Sequence, residues 1–152
     1  MTLELVDHRA GPTVKYTWTP FEPSESYEHP EWWANARGAV GDPWFVQALE
    51  NGVEIARVQL DERGGIGDGY TDAPAINAHE LLEIQFIEVT TTARRRGVAT
   101  RVVQALTEQH PDKHLMAYSE GADAFWESLG WDPFYDLSPG PPGRTLYIQP
   151  AR

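Results

Sequence analysis

Apolar residues recur along this chain with two periods, and the switch between them predicts an α/β protein. Thr13 to Trp18 alternates as a half-buried strand would, and Pro20 closes it. His29 to Gly38 reads as one short helix with a proline in its first turn and a glycine at its end. Trp44 to Leu49 and Val53 to Leu60 flank Glu50-Asn51-Gly52, the strongest short hairpin signal in the chain. Residues 61–78 carry Gly64, Gly65, Gly67, Gly69 and Pro74 without periodicity, which predicts a surface loop long enough to cover a site. Leu81 to Val89 is a strand with Leu82, Ile84 and Phe86 on one face and Glu83 and Gln85 on the other. From Val98 the spacing turns helical through Val102, Val103, Ala105 and Leu106, until Pro111. His114 to Tyr118 is another strand, and Ala122, Phe125, Trp126 and Leu129 form the apolar face of a short helix ended by Gly130. Trp131 to Leu137 and Thr145 to Gln149 are the last strand candidates.

Length and composition narrow the class. At 152 residues and 41% hydrophobic, residues 1–152 are expected to form one domain with its own core. The net charge of −11 disfavours nucleic acid and anionic membranes as partners and favours a cationic small molecule or basic peptide. The chain has no cysteine, which excludes disulfides and thiolate metal sites, and its five scattered histidines predict no metal centre. Met1 to His8 has an early acidic residue and no long apolar stretch, so neither a signal peptide nor a membrane span is expected, and the location is read as cytoplasmic.

Against that acidic background, Arg94, Arg95, Arg96 and Arg101 place four of the twelve cationic residues within eight positions. They surround Gly97 where a strand gives way to a helix. Free backbone N–H groups and the helix dipole already favour an anion there, so the arrangement predicts a phosphate site.

The run Arg94-x-x-Gly97-x-Ala99 after a strand resembles the acyl-coenzyme A pyrophosphate loop of the GNAT superfamily of N-acetyltransferases. Ala122-x-x-Phe125-Trp126-x-x-x-Gly130-Trp131 is similar to a second element of that family, in the right order. The resemblance implies a GNAT-like fold: a central mixed, mostly antiparallel sheet, splayed at the acyl-coenzyme A site and flanked by helices. It implies acetyl-coenzyme A as co-substrate, with no metal, and a homodimer. Backbone N–H groups of Arg95, Arg96, Gly97, Val98, Ala99 and Thr100 would hold the pyrophosphate, with Arg94 or Arg95 adding charge. Ile87, Glu88 and Val89 would pair with the pantetheine arm, and a backbone N–H near Val89 would hold the oxyanion. Ser119, Ala122, Phe125 and Trp126 complete the implied cofactor set.

Glu83 lies fourteen residues before the loop glycine, the spacing at which histone-type members carry a general base. An amine attacks a thioester only when neutral, so a carboxylate that removes its proton is what the reaction needs. Glu88 has the opposite parity along the strand and ranks below Glu83, unless a bulge reverses the order. The family tyrosine that protonates the leaving thiolate corresponds to Trp126, which cannot serve as that acid; Tyr118 and Tyr135 are nearby alternatives. Without a cysteine to carry an acyl group, direct transfer to a primary amine in a ternary complex is expected. Trp32, Trp33 and Trp44 suggest an acceptor with some apolar body. The same residues also allow a non-catalytic acyl-coenzyme A sensor or an acidic protein-interaction module.

Overall fold

Seven strands form one mixed sheet in a computed structural model that describes residues 3–10, 18–34 and 42–150. They are β1 (Leu3–Arg9), β2 (Trp44–Glu50), β3 (Val53–Asp61), β4 (Leu81–Val89), β5 (His114–Tyr118), β6 (Asp132–Phe134) and β7 (Leu146–Ile148). Helices α1 (Val98–Gln109) and α2 (Asp123–Ser128) join them. The order across the sheet is β1-β2-β3-β4-β5-β7-β6. Among the described strands, only β4 and β5 run parallel, linked by α1.

The β2–β3 hairpin forms where the turn residues predict it. Asn51 and Gly52 both take positive φ, 52° and 78°, the conformation whose twist matches the flanking strands. Strand β1 was not anticipated: Val6 beside Leu5 breaks the alternation of a half-exposed edge strand. Of the predicted Thr13–Trp18 strand, residues 13–17 lie outside the described residues and Trp18 is not in a strand. The predicted His29–Gly38 helix is a single 3-10 turn over Pro30–Trp33, with 35–38 outside the described residues.

Each face of the sheet is covered. On one, Val102 and Leu106 of α1 and Trp126 of α2 pack on Val58, Leu60, Leu82, Ile84 and Leu115. On the other, Phe21, Tyr27 and Trp33 pack on Phe45. Beside them, Ile66, Tyr70, Ala73 and Ile76 of the glycine-rich segment lie against Leu81, Met116, Leu146 and Ile148. The 61–78 connection is therefore half of a layer and not a free surface loop.

A bulge in β4 corrects the predicted alternation. Leu60 opposes Ile84 and Gln59 opposes Phe86, so Gln85 is an extra residue in the ladder. Beyond it the faces exchange. Ile87 and Val89 join Leu82 and Ile84 on the α1 side, whereas Phe86 turns to the opposite layer. Glu88 thereby comes to the same face as Glu83. Trp44 likewise belongs to the α1 side, apart from Trp32 and Trp33. No helix among the described residues is long and apolar enough to cross a membrane.

Candidate active site

The turn before α1 contains two left-handed residues. Arg95 has φ 62° and Gly97 φ 69°, and α1 begins at Val98. Backbone that alternates in the sign of φ turns successive N–H groups to one side, a geometry suited to an anion. The turn opens on a groove of about 400 Å³ lined by His29, Trp32, Ile87 to Val89, Arg94, Arg95, Gly97 to Thr100 and Phe125. The four arginines divide their work. Arg96 and Arg101 each place a nitrogen 2.7 Å from the buried carboxylate of Glu50, and Arg96 does not line the groove. The hydrogen bond from Arg101, followed by the charges of both arginines, holds the Glu50 carboxyl below its ordinary pKa. Arg94 reaches Glu28 at 2.5 Å and Glu88 at 3.6 Å. Arg95 is exposed at the groove and has no ion pair among the described residues. Charge counted along the sequence thus overstated what faces the groove.

Strands β4 and β5 pair only from Leu81 to Glu83 against His114 to Met116, and then diverge. The Thr90 N–H bonds to Ile55 O on β3. By alternation, the polar groups of Ile87 and Val89 point to the opposite, open side. Val89 O indeed accepts from Arg94 Nε at 3.4 Å instead of from β3. The gap continues the groove as a cleft of about 70 Å³ between Ile84 to Ile87 and the side of Tyr118, Glu120, Ala122 and Trp126, with Trp32 and Ile87 shared by both spaces.

Glu88 braces this wall. Its carboxylate accepts from the backbone N–H groups of Glu28 (2.7 Å) and His29 (3.1 Å) and from Trp33 Nε1 (2.8 Å). Arg94 adds its charge. A carboxylate with three donors and a cation is committed to structure, so the bulge that brings Glu88 to the face of Glu83 does not make it a free base. It ties the 28–33 segment to the turn that carries Arg94. Nothing in the residue's sequence context signalled this, because all its partners are about sixty residues away or belong to the turn.

Glu83 lies where the β4–β5 ladder ends, opposite Asp61 on β3. It is 8% exposed and lines neither the groove nor the cleft. Gly64 lies against it: a Cβ there would stand 2.0 Å from Glu83 Oε1. Burial first, then the charge of Asp61, raises the Glu83 pKa from 4.5 to about 7, with Arg144 opposing.

The remaining predicted residues divide similarly. Ala122 and Trp126 line the cleft and Phe125 the groove. Trp126 is 4% exposed and stacks on Trp131 at 5.0 Å, so it is a core wall of the site. Ser119 is buried and its Oγ accepts from the Ala122 N–H at 3.1 Å, closing the turn before α2. It lines neither space. Tyr118 does line the cleft, while its hydroxyl donates to Gly65 O and accepts from the Gly67 N–H, both at 2.9 Å. Tyr135 is exposed. No three His, Asp or Glu residues gather as a metal-binding group among the described residues.

A strand that splays from its parallel neighbour and runs through a glycine turn into a helix is the arrangement of this fold. Residues 11–131 match the profile of the acetyltransferase (GNAT) family, and the chain belongs to that family. Among curated proteins, none matches the sequence. An acetyltransferase from Thermus thermophilus has a similar structure: TM-score 0.53, 14% identity, over 72% of this chain and 64% of that one. The aminoglycoside acetyltransferase AAC(6')-Ib in complex with coenzyme A gives 0.51 and 19%, over 70% and 65%. The chain therefore spans slightly less than two thirds of either protein. E. coli YhhK bound to coenzyme A gives 0.52 and 13%, over 97% and 98%. At these identities the likeness is one of fold.

Proposed function

We propose that this protein is an N-acetyltransferase that moves an acetyl group from acetyl-coenzyme A to a primary amine in a ternary complex. The observation that carries the reading is continuity: the turn at Arg95 and Gly97 opens on a groove that leads along Ile87 and Val89 to the β4–β5 cleft. Pyrophosphate at the turn and pantetheine along the open edge of β4 would bring the thioester to that cleft. Several structurally similar proteins were solved with coenzyme A bound, which agrees with this reading.

Glu83 is the general base in this reading and acts through water, because its carboxylate is set back from the cleft. The amine nitrogen attacks the thioester carbonyl, the C–S bond breaks, and the amine proton passes to Glu83. The thiolate takes its proton from solvent, since Trp126 has none to give. A backbone N–H near Val89 would hold the oxyanion. The acceptor class is a cationic amine with some apolar body, either a small molecule or a lysine or N-terminal amine of a peptide, drawn by the acidic surface and received beside Trp32 and Phe86.

Two measurements test the reading. Coenzyme A is expected to raise the melting temperature in a concentration-dependent way, and acetyl-coenzyme A with an amine panel is expected to release thiol. Binding without release on any amine leaves a sensor, and no binding removes the reading. Within the turn, Arg95→Ala is expected to raise the KM for acetyl-coenzyme A about 10-fold by losing a charge-assisted contact with phosphate. Arg96→Ala is expected to change it less than about 2-fold, because its guanidinium is held by Glu50.

A further inference from the structure

We propose, resting on the acyltransfer reading above, that Tyr118 is a positioning residue for the base: its hydroxyl pins the 64–67 segment over the Glu83 carboxylate and keeps that carboxylate covered.

Glu83 ends the paired part of β4, and what lies over it is backbone. Gly64 comes so close that a Cβ there would stand 2.0 Å from Glu83 Oε1, nearer than any side chain allows. The segment reads Gly64-Gly65-Ile66-Gly67, so it presents no titratable side chain of its own to the carboxylate. Its neighbours Arg63 and Asp68 are exposed. Chain this rich in glycine does not hold one conformation by itself, because glycine loses more freedom on ordering than any other residue.

Tyr118 fixes it from β5. Its hydroxyl donates to Gly65 O and accepts from the Gly67 N–H, both at 2.9 Å, so one side-chain oxygen holds the backbone on either side of Ile66. Ile66 packs on the cluster of Leu81 and Met116. The Tyr118 ring meets Tyr70 edge-on at 5.4 Å, and the Tyr70 hydroxyl donates to Arg144 O at 2.6 Å. Farther along, the Leu137 N–H donates to Gly69 O at 2.8 Å. The far end of the loop therefore has its own anchors, while the part over Glu83 depends on Tyr118.

The same bonds make Tyr118 a poor acid for the leaving thiolate. Its proton is given to a carbonyl, and burial raises its pKa against the Gly67 hydrogen bond, with the charge of Glu83 adding. The groups that face Glu83 are Asp61 from β3, Tyr118 from β5 and Arg144 from the segment before β7, the last paired with Glu120 at 2.8 Å. Removing the Tyr118 hydroxyl alters none of these charges. It alters the cover, and a covered carboxylate is harder to ionise than a wet one.

The ionisation of the Glu83 carboxyl, followed by NMR without coenzyme A and assigned with Glu83→Gln, tests this. In the unmodified protein the resonance is expected to titrate near 7. Tyr118→Phe keeps the ring and loses both hydrogen bonds, and is expected to raise the acid dissociation constant of Glu83 at least about 10-fold as water reaches the carboxylate. Gly64→Ala, whose Cβ cannot share the space of Glu83 Oε1, is expected to move it in the same direction. The ascending limb of thiol release against pH should move with the resonance in each variant. A dissociation constant within about 3-fold of the unmodified value in a folded Tyr118→Phe protein would overturn the role of Tyr118. Titration of the unmodified carboxyl near 4.5 would overturn the cover itself. The resonance needs neither coenzyme A nor amine, so failure of this proposal shows there, and failure of the acyltransfer reading shows instead as absent thiol release.

Discussion

Replacing Glu83 by Gln is expected to lower kcat by about 10²- to 10⁴-fold, the usual contribution of a positioned base, with little change in acetyl-coenzyme A affinity. The pH profile is the sharper readout. With a pKa raised to about 7, Glu83 is a competent base only after it ionises, so turnover should climb with pH through that value. In Glu83→Gln the ascending limb near 7 should vanish and leave only the titration of the amine. An unchanged limb would remove Glu83 from the mechanism.

The same shift predicts a stability effect of defined sign. Folded Glu83 holds its proton to about pH 7, whereas the unfolded residue releases it near 4.5. The native state binds the extra proton between those values, so stability falls as pH rises from about 5 to 8. A shift of this size corresponds to about 3 kcal/mol over the window. Glu83→Gln keeps the shape without the charge, and its melting temperature is expected to fall several degrees less than that of the unmodified protein between pH 5 and 8.

The largest stability loss is expected at Glu88. Glu88→Ala strips the acceptor from the Glu28 and His29 N–H groups and from Trp33 Nε1, and leaves Arg94 with the exposed Glu28 as its carboxylate partner among the described residues. Removing one partner of a buried, hydrogen-bonded charge network costs about 3–5 kcal/mol, or about 10 °C in melting temperature for a chain of this size. Glu88→Gln retains acceptor capacity and is expected to cost less. Because the 28–33 segment carries Trp32 and His29, coenzyme A affinity should fall with stability in the alanine variant. Thermal melts of both variants with and without coenzyme A check the two effects together. A melting temperature within about 2 °C for Glu88→Ala would show that the brace contributes little.

Local rules had wide reach in this chain. The Asn51-Gly52 turn, the 3.6-residue spacing after Val98 and the stop at Gly130 are properties of neighbouring residues, and the hairpin, α1 and the end of α2 follow from them. Positive φ at Gly97 is equally local, because glycine adopts it without the steric cost a Cβ brings. The glycine turn before α1 was accordingly legible in sequence, as was the helix within Ala122 to Trp131.

Partnership was not legible in the same way. Four arginines in eight positions read as one electrostatic feature, yet the sheet carries Glu50 and Glu88 to them, and Arg95 is the one described as exposed at the groove without an ion pair. Coulomb energy depends on distance in space, which a run of charges along the chain does not encode. The bulge at Gln85 is a property of the pairing of β4 with β3, and it reversed the facing of Phe86 and Glu88. The pKa of Glu83 likewise depends on the Gly64 segment folding over it and on Asp61 arriving from β3. The sequence by itself determined the elements, the turn and the residue types at the site, because backbone preference and hydrophobic period act over a few residues. Tertiary structure decided which charges were free, which face each carboxylate occupied and how large the cleft is, because each depends on segments that meet only when the sheet closes.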